Sequence, residues 1–158
     1  MASPEDISRE DVGSWLEGGR RDDAAGSAGR LGLPETGPGS LARLGRRVVA
    51  LLVDWAVATL IAYLVTTPAS FAELNSWVTL GVFALENVLL VSTAGFTIGH
   101  RLLGMQVRTL GAPEGMANGF ARGAVRTLLL CLVIPAVVWD RDGRGLHDRA
   151  AGTVLVRR

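Results

Sequence analysis

The sequence has no lysine and only one cysteine. All 16 residues in its lysine-plus-arginine total are arginine, a bias that indicates a GC-rich genome rather than a particular function. The single cysteine, Cys131, excludes an intramolecular disulfide and argues against a cysteine-based zinc site. His100 and His147 are isolated and lack metal-ligand spacing, so we expect satisfied surface or interfacial side chains. We therefore predict no metal site.

The sequence also lacks the short motifs of the common enzyme classes. It contains no Walker motif, no GxSxG, no HExxH and no paired dinucleotide-binding glycines after a strand. We therefore expect neither catalysis nor a cofactor. A signal-peptide pattern is missing as well, because the start is acidic and the first apolar block comes late. The first membrane helix is expected to serve as the insertion signal.

Charge and apolar content are unevenly distributed along the chain. Residues 1–40 hold eight acids and four arginines, a net charge of −4, whereas residues 41–158 hold seven acids and twelve arginines, a net charge of +5. The first forty residues are rich in Gly, Ser, Ala and Pro, which predicts a disordered, acidic cytoplasmic tail ending in a linker. Residues 41–158 are predicted to form a membrane domain whose basic charge suits a cytoplasmic membrane surface better than a nucleic acid.

The first long apolar run is Val48–Thr67. It holds about twenty residues with one charge, Asp54, and as a helix it reaches about 30 Å, the thickness of a bilayer's hydrocarbon core. We predict a transmembrane helix that begins at the interface within Leu41–Arg47. Ser40 is the expected N-cap of this helix.

The second apolar run is Trp77–Ser92, and Trp77 stands where an interfacial aromatic residue is expected. The connection between the runs, Pro68–Ser76, contains one acid and no base. Basic residues precede the first run and follow the second: Arg43, Arg46, Arg47, His100, Arg101 and Arg108. This distribution predicts that the N-terminus and the central segment face the cytoplasm, with the connection outside.

A third apolar run, Leu128–Trp139, is ambiguous. Twelve residues reach about 18 Å as a helix, which is too short to span, and Pro135 interrupts the run. Extension back to Asn118 gives enough length but adds Arg122 and Arg126, which share a helix face and can snorkel. A full span would place the C-terminal arginines outside, against the positive-inside tendency. We favour a helix that dips into the inner leaflet and bends back at Pro135; the alternative is a third span.

Two short segments are predicted to pair as strands at the cytoplasmic membrane surface. Met105–Leu110 alternates apolar and polar residues and precedes the turn-forming stretch Gly111–Gly115. Thr153–Val156 is the matching candidate near the C-terminus. The expected fold is an all-α membrane protein with two transmembrane helices, a third short re-entrant or spanning helix, and this small two-stranded pair.

Asp54 is the first candidate for chemistry, because a charged acid at the centre of a membrane helix costs about 2.5–3.5 kcal/mol on insertion scales. Arg47 stands two turns away, too far for direct contact in a straight helix without snorkelling or water. A partner from another segment, such as Arg122 or Arg126, is expected instead. Asp54 then either handles a proton or cation or belongs to an internal ion pair that fixes helix packing; we favour the ion pair.

Glu86 places a second acid near the middle of the second run. Acids in two adjacent helices resemble a proton or cation relay, but Glu86 pointing inward to an arginine or to water explains it equally well. Gly95 and Gly99 fit the small-xxx-small spacing that lets helices approach closely.

Three separated patches resemble the RDD family of bacterial membrane proteins. The first is RRVVALLVD at Arg46–Asp54, which resembles the family's arginine-containing entry into its first helix. The second is TIGHRLLGMQV at Thr97–Val107, similar to a TxGKxxxGxxV stretch. The third is LHDRAAGTVLV at Leu146–Val156, similar to a DxxAGTxVV ending. Their order and spacing together carry the resemblance, which covers roughly residues 41–158.

The residues that give the family its name map onto Arg47, Asp54 and Asp148, with Arg46 as a neighbouring candidate. His100 stands where the family usually has lysine, which weakens any role there for a permanent positive charge. We expect Asp148 to be structural, either capping the turn that follows it or pairing with an arginine of the central segment.

The resemblance implies a multi-pass membrane protein, which we expect in the bacterial plasma membrane and in contact with the lipid bilayer. Because two or three short helices make a poor pore alone, the expected protein partner is a second copy or another membrane protein. The resemblance implies no settled activity, although transport, including cation/proton exchange, has been suggested for some members. We favour a small scaffold or regulatory subunit that presents a cytoplasmic face. The alternative is an oligomeric transporter that exchanges a monovalent cation for protons through Asp54 and Glu86.

Overall fold

The computed structural model describes residues 28–70, 73–113, 116–132 and 144–158. Its main elements, in chain order, are α1 (Leu44–Thr66), α2 (Ser76–Thr93), α3 (Ile98–Leu102), β1 (Met105–Thr109), α4 (Phe120–Cys131), α5 (Leu146–Ala150) and β2 (Thr153–Arg157).

Helices α1 and α2 confirm the prediction of two helices long and apolar enough to cross a membrane. Their apolar side chains point mainly outward: only 22% of the most apolar window of α1 and 28% of that of α2 is buried. On α1, Leu52 and Leu64 are exposed, whereas Arg47 and Asp54 are buried. A core helix of a water-soluble protein would show the opposite arrangement, so lipid is the natural solvent for this surface.

The start of α1 differs from the prediction. Ser40 is not the N-cap; Arg43 occupies that position, and among the described residues no side chain caps the helix there. The Ser40 hydroxyl instead donates to the Gly37 carbonyl at 2.6 Å. The chain is still extended at this point, because Leu41 forms an antiparallel bridge with Val156 of β2. Pairing with the sheet therefore delays the helix.

Part of the predicted tail is described. Ala28 and Ser40 are both buried, with 1% and 3% of their surfaces exposed. Residues 1–27 lie outside the described ranges, so the disorder of the tail stays a prediction.

The expected strand pair is present. β1 and β2 are antiparallel, with Met105 opposite Arg157 and Thr109 opposite Thr153. An isolated pair of strands is only marginally stable. Here one face of the sheet joins α1 and α2 in a small apolar core: Ala42, Ala50, Val91, Met105, Val107 and Leu155. This packing supplies the support that two strands alone lack.

Helix α4 accounts for the first part of the third apolar run. Its 12 residues reach about 18 Å, so α4 alone is too short to span a bilayer. The helix buries Arg126 and Thr127 and exposes Phe120 and Leu128, again with polar groups inside and apolar groups outside. The bend proposed at Pro135 lies outside the described residues, so the choice between a dip and a full span stays a prediction.

Close approach between helices occurs at two glycines. A methyl group on Gly99 would collide with the backbone carbonyl of Ala50 on α1, and one on Gly123 would collide with the Ser92 side chain on α2. Gly95, the other member of the predicted small-residue pair, lies in a turn with a φ of 76° rather than in a helix. The small-xxx-small spacing therefore identified Gly99, the contact residue of α3, but it did not identify Gly123, the contact residue of α4.

Replacing Gly99 with alanine is expected to destabilise the protein by about 1–3 kcal/mol, the usual cost of overpacking a tight contact. The measurement is thermal unfolding in detergent. Gly81→Ala is the matched control, because Gly81 lies within α2 and a methyl there meets nothing within 4 Å in the described part of the chain. Alanine is also the better helix former, so the control should melt at or above the wild-type temperature. If the two variants have the same melting temperature, Gly99 does not lie in a tight helix contact.

Candidate functional site

A buried carboxylate shared by two arginines forms the centre of the site. Arg126 Nε of α4 donates to Asp148 Oδ1 of α5 at 2.7 Å, and Arg47 Nη1 of α1 lies 3.6 Å from Asp148 Oδ2. Asp148 has 0% of its surface exposed, Arg126 3% and Arg47 8%. Because a buried ion without a partner is very costly, this cluster ties α1, α4 and α5 together.

The electrostatics of Asp148 follow from these neighbours. Burial by itself raises the pKa of Asp148. The charges of Arg126, His147 and Arg47, together with the Arg126 hydrogen bond, outweigh burial and lower the pKa below its ordinary value of 3.8. His147 Nε2 lies 3.6 Å from Asp148 Oδ2. Asp148 is therefore ionised at neutral pH.

Arg47 also connects the beginning of α1 to the sheet. Its Nε donates to the Ala42 carbonyl at 2.8 Å, and its Nη2 donates to the Leu155 carbonyl of β2 at 3.4 Å. The neighbouring Arg46 donates from Nη1 to the Leu103 carbonyl at 3.2 Å. The two arginines thus attach α1 to different segments, and Arg47 is the one that reaches Asp148.

Asp54 has different partners from those predicted. Thr97 Oγ1 donates to Asp54 Oδ2 and the Gly99 backbone N–H donates to Asp54 Oδ1, both at 2.6 Å. Arg126, one of the two expected partners, forms its direct ion pair with Asp148, although its charge also acts on Asp54, and Arg122 is exposed. Asp54 is 2% exposed, and it holds the first residues of α3 against the middle of α1.

His100 takes part in capping the N-terminus of α3. Its Nδ1 accepts a hydrogen bond from the Thr97 backbone N–H at 3.2 Å, while Thr97 Oγ1 accepts from the His100 N–H at 3.2 Å. This reciprocal arrangement is a capping box. Burial is the main reason that the pKa of His100 is lowered to about 3. The charges of Arg126, Arg47 and His147 also lower this pKa, while the charge of Asp148 raises it. At the position where the RDD resemblance implies lysine, this chain therefore has a neutral hydrogen-bond acceptor.

Glu86 lies apart from this hydrogen-bonded network. Neither of its carboxylate oxygens has a hydrogen-bond partner within the described part of the chain. Asp54 is close enough for its charge to repel that of Glu86. The next residue, Asn87, is buried and donates to the Phe83 carbonyl of its own helix at 3.0 Å.

Two site residues were missed by sequence reasoning, Thr97 and Asn118. Thr97 stands directly before the short helix α3, a position typical of an N-cap, and this signal could have revealed it. Asn118 is 1% exposed, and its Nδ2 donates to the carbonyls of Val91 and Val107, both at 3.1 Å. It thereby fastens α2 to β1, and a lone asparagine in a loop carries no signal of such a role.

The structure thus brings the three predicted motif residues into one buried polar region. Arg47 and Asp148 are in direct contact, whereas Asp54 joins through α3. In the ranges that the structure describes, no group of three or more His, Cys, Asp or Glu residues could hold a metal ion.

Asp148→Asn is expected to lower the free energy of unfolding by about 3–5 kcal/mol at pH 7, because two arginines lose their buried counterion. The pKa of Asp148 is lower in the folded than in the unfolded chain, so the unfolded chain binds the proton first as the pH falls. This contribution to stability is complete above about pH 4 and is lost as the pH falls through the lower folded value.

The measurement is the melting temperature of wild type and variant in detergent from pH 7 to pH 3. The difference between the two should narrow below about pH 4. Glu73→Gln is the control, because it removes an exposed carboxylate that accepts a surface hydrogen bond from the Ala69 backbone N–H. If Asp148→Asn melts like this control at pH 7, the shared carboxylate does not hold the helices together.

Comparison with known protein families identifies a match for this chain. The profile of the RDD family matches residues 41–152, a range that includes Arg47, Asp54 and Asp148. No curated protein and no solved structure gives a significant match. Since the family profile covers well over half of the chain, and two of the helices are apolar enough to cross a bilayer, the chain is a membrane protein that belongs to the RDD family.

Proposed function

We propose that this chain is a multi-pass scaffold or regulatory subunit of the bacterial plasma membrane, without enzymatic activity, that presents a cytoplasmic face to a partner. The observation that supports the proposal is that the motif residues make contacts inside the protein. Asp148 is engaged by Arg47 and Arg126, and Asp54 is engaged by Thr97 and Gly99. Side chains committed to internal contacts of this kind hold a surface in shape rather than bind a substrate.

The proposed orientation places the sheet in the cytoplasm. Arg47, near the start of α1, contacts the Leu155 carbonyl of β2, so the sheet lies at the arginine-rich end of the helix. The opposite end of α1 leads into the connection that carries Glu73 and no base. The positive-inside tendency then assigns the sheet, α5 and the N-terminal tail to the cytoplasmic side. The partner is a second copy of the chain or another membrane protein.

A second candidate function is exchange of a monovalent cation for protons in an oligomer. The observation that favours it is Glu86, whose carboxylate has no hydrogen-bond partner among the described residues and lies within range of the Asp54 charge. An acid held within a membrane helix without an evident partner is typical of proton pathways. Against this function, Asp54 already accepts two short hydrogen bonds, which a carrier site would have to break at each turnover.

If the chain is a scaffold, we expect two experimental results, one from crosslinking and one from a flux assay. A photoreactive amino acid at Arg149, an exposed position of α5, should give a discrete protein adduct in native membranes, identified by mass spectrometry. The same group at Leu64, a lipid-facing position that is 64% exposed, is the matched control and should not trap that protein. In liposomes with an enclosed pH-sensitive dye, pulses of Na⁺ or K⁺ should move no protons.

Two results would contradict the scaffold proposal. One is the absence of any specific adduct from Arg149. The other is a cation-dependent proton flux that is lost in both Glu86→Gln and Asp54→Asn. Gln and Asn keep the size of each side chain while removing its charge, so that second result would establish the exchange function.

A further inference from the structure

Two arginines lie over the ring of Phe96, a residue of the turn between α2 and α3. The guanidinium carbon of Arg101 is 5.1 Å from the centre of this ring, and that of Arg158 is 5.7 Å from the same centre. The negative face of an aromatic ring attracts a guanidinium group, so the ring lets two like charges lie close together. We call these three residues the Phe96 platform.

The backbone of the Phe96 platform is held in place by hydrogen bonds to the sheet region. The Gly95 carbonyl, directly before the phenylalanine, accepts from the Val107 N–H of β1 at 2.7 Å. The Arg158 N–H, directly after β2, donates to the Gly104 carbonyl at 2.8 Å. The platform is therefore part of the fold, and little backbone ordering is needed when a ligand binds.

The hydrogen-bonding capacity of the two guanidinium groups is not used within the protein. Both side chains are exposed, and within the described ranges neither Arg101 nor Arg158 donates a side-chain hydrogen bond or forms an ion pair with an acid. Stacking on a ring engages the flat face of a guanidinium and leaves the N–H groups in its plane able to donate. Such groups fit phosphate oxygens, so the chemistry of the platform favours a phosphate-containing anion.

The surroundings of the platform favour a lipid as the source of that phosphate. Ile98, Arg101 and Leu102 share one face of α3, because residues three and four apart lie side by side on a helix. Ile98 is 37% exposed and Leu102 is 70% exposed. Arg46, in the first turn of α1, donates to the Leu103 carbonyl, so this face lies at the arginine-rich end of a candidate membrane helix. Apolar side chains and an arginine on one exposed face are typical of the boundary between acyl chains and headgroups.

We propose that the Phe96 platform binds the phosphate headgroup of an anionic phospholipid through Arg101 and Arg158, with an acyl chain against Ile98 and Leu102. An anionic lipid is favoured over a zwitterionic one, because the cationic part of a choline headgroup is repelled by two arginines. The inference needs only a chain embedded in a bilayer, so it does not depend on the scaffold proposal.

The test is native mass spectrometry of the full chain in detergent with phosphatidylglycerol or phosphatidylcholine of identical acyl chains. We expect wild type to retain phosphatidylglycerol preferentially. Arg101→Gln should weaken that retention by about tenfold, the effect of losing one charge-assisted hydrogen bond. Because the Arg101 side chain is exposed, this variant should melt like wild type.

Two further variants separate the platform from a general effect of positive charge. Phe96→Leu keeps an apolar side chain but removes the aromatic face, so retention of phosphatidylglycerol should fall by about threefold although no charge is lost. Arg122→Gln is the matched control for Arg101→Gln. It removes the same charge from an exposed position of α4 beside the outward-facing Phe120 and Val125, and it should retain the lipid like wild type.

Three results would overturn the proposal. The first is equal retention of the two lipids by wild type. The second is equal loss of phosphatidylglycerol in Arg101→Gln and Arg122→Gln, which would indicate a diffuse charge effect. The third is complete displacement of phosphatidylglycerol by millimolar inorganic phosphate, together with phosphate binding that depends on Arg101. That result would assign the platform to a soluble phosphate compound.

Discussion

The carboxylate of Asp148 is the contact on which the arrangement of this chain depends. It comes from the short helix that precedes the last strand, and it receives Arg47 from the first long helix and Arg126 from α4. All three side chains are buried, so separating any of them would leave a charge without a counterion in a poorly polar environment. Arg47 extends the same network to the backbone of β2, and in this way one carboxylate positions helices and sheet together.

A second polar contact, at Asp54, acts deeper along α1. Its two hydrogen bonds go to Thr97 and Gly99 at the beginning of α3, and the missing side chain of Gly99 lets the helices approach closely enough for them to form. Hydrogen bonding of this kind is required where water is scarce. The polar groups of α1 and α4 face inward and their leucines face outward, so the charged motif serves as an internal framework and the apolar surface remains for lipid.

The two long helices and the strand pair were predictable, whereas the short helices α3 and α5 and most of the side-chain partners were not predicted. Length and apolar content identified both long helices, and alternation together with turn residues identified the strand pair. The partner of Asp54 depends on how α1 and α3 are rotated against each other, which a single sequence does not encode; a threonine and a backbone N–H stand where an arginine was expected. Ser40 failed as a cap because residues around it pair with β2, a long-range contact that overrides the local signal. Asp148 was expected to cap the turn that follows it or to pair with an arginine of the central segment; its partners are instead Arg126 of α4 and Arg47 of α1.

The coupling between Arg126 and Asp148 tests this account most directly. It is measured as a double-mutant cycle of unfolding free energies in a bilayer-like detergent, with Arg126→Gln, Asp148→Asn and the two combined. Asp148→Asn leaves two buried arginines without their counterion, whereas the double variant leaves only Arg47 without it, so we predict that the double variant is no less stable than Asp148→Asn. Strictly additive losses would mean that the two side chains act independently, and the shared carboxylate would then not organise the fold.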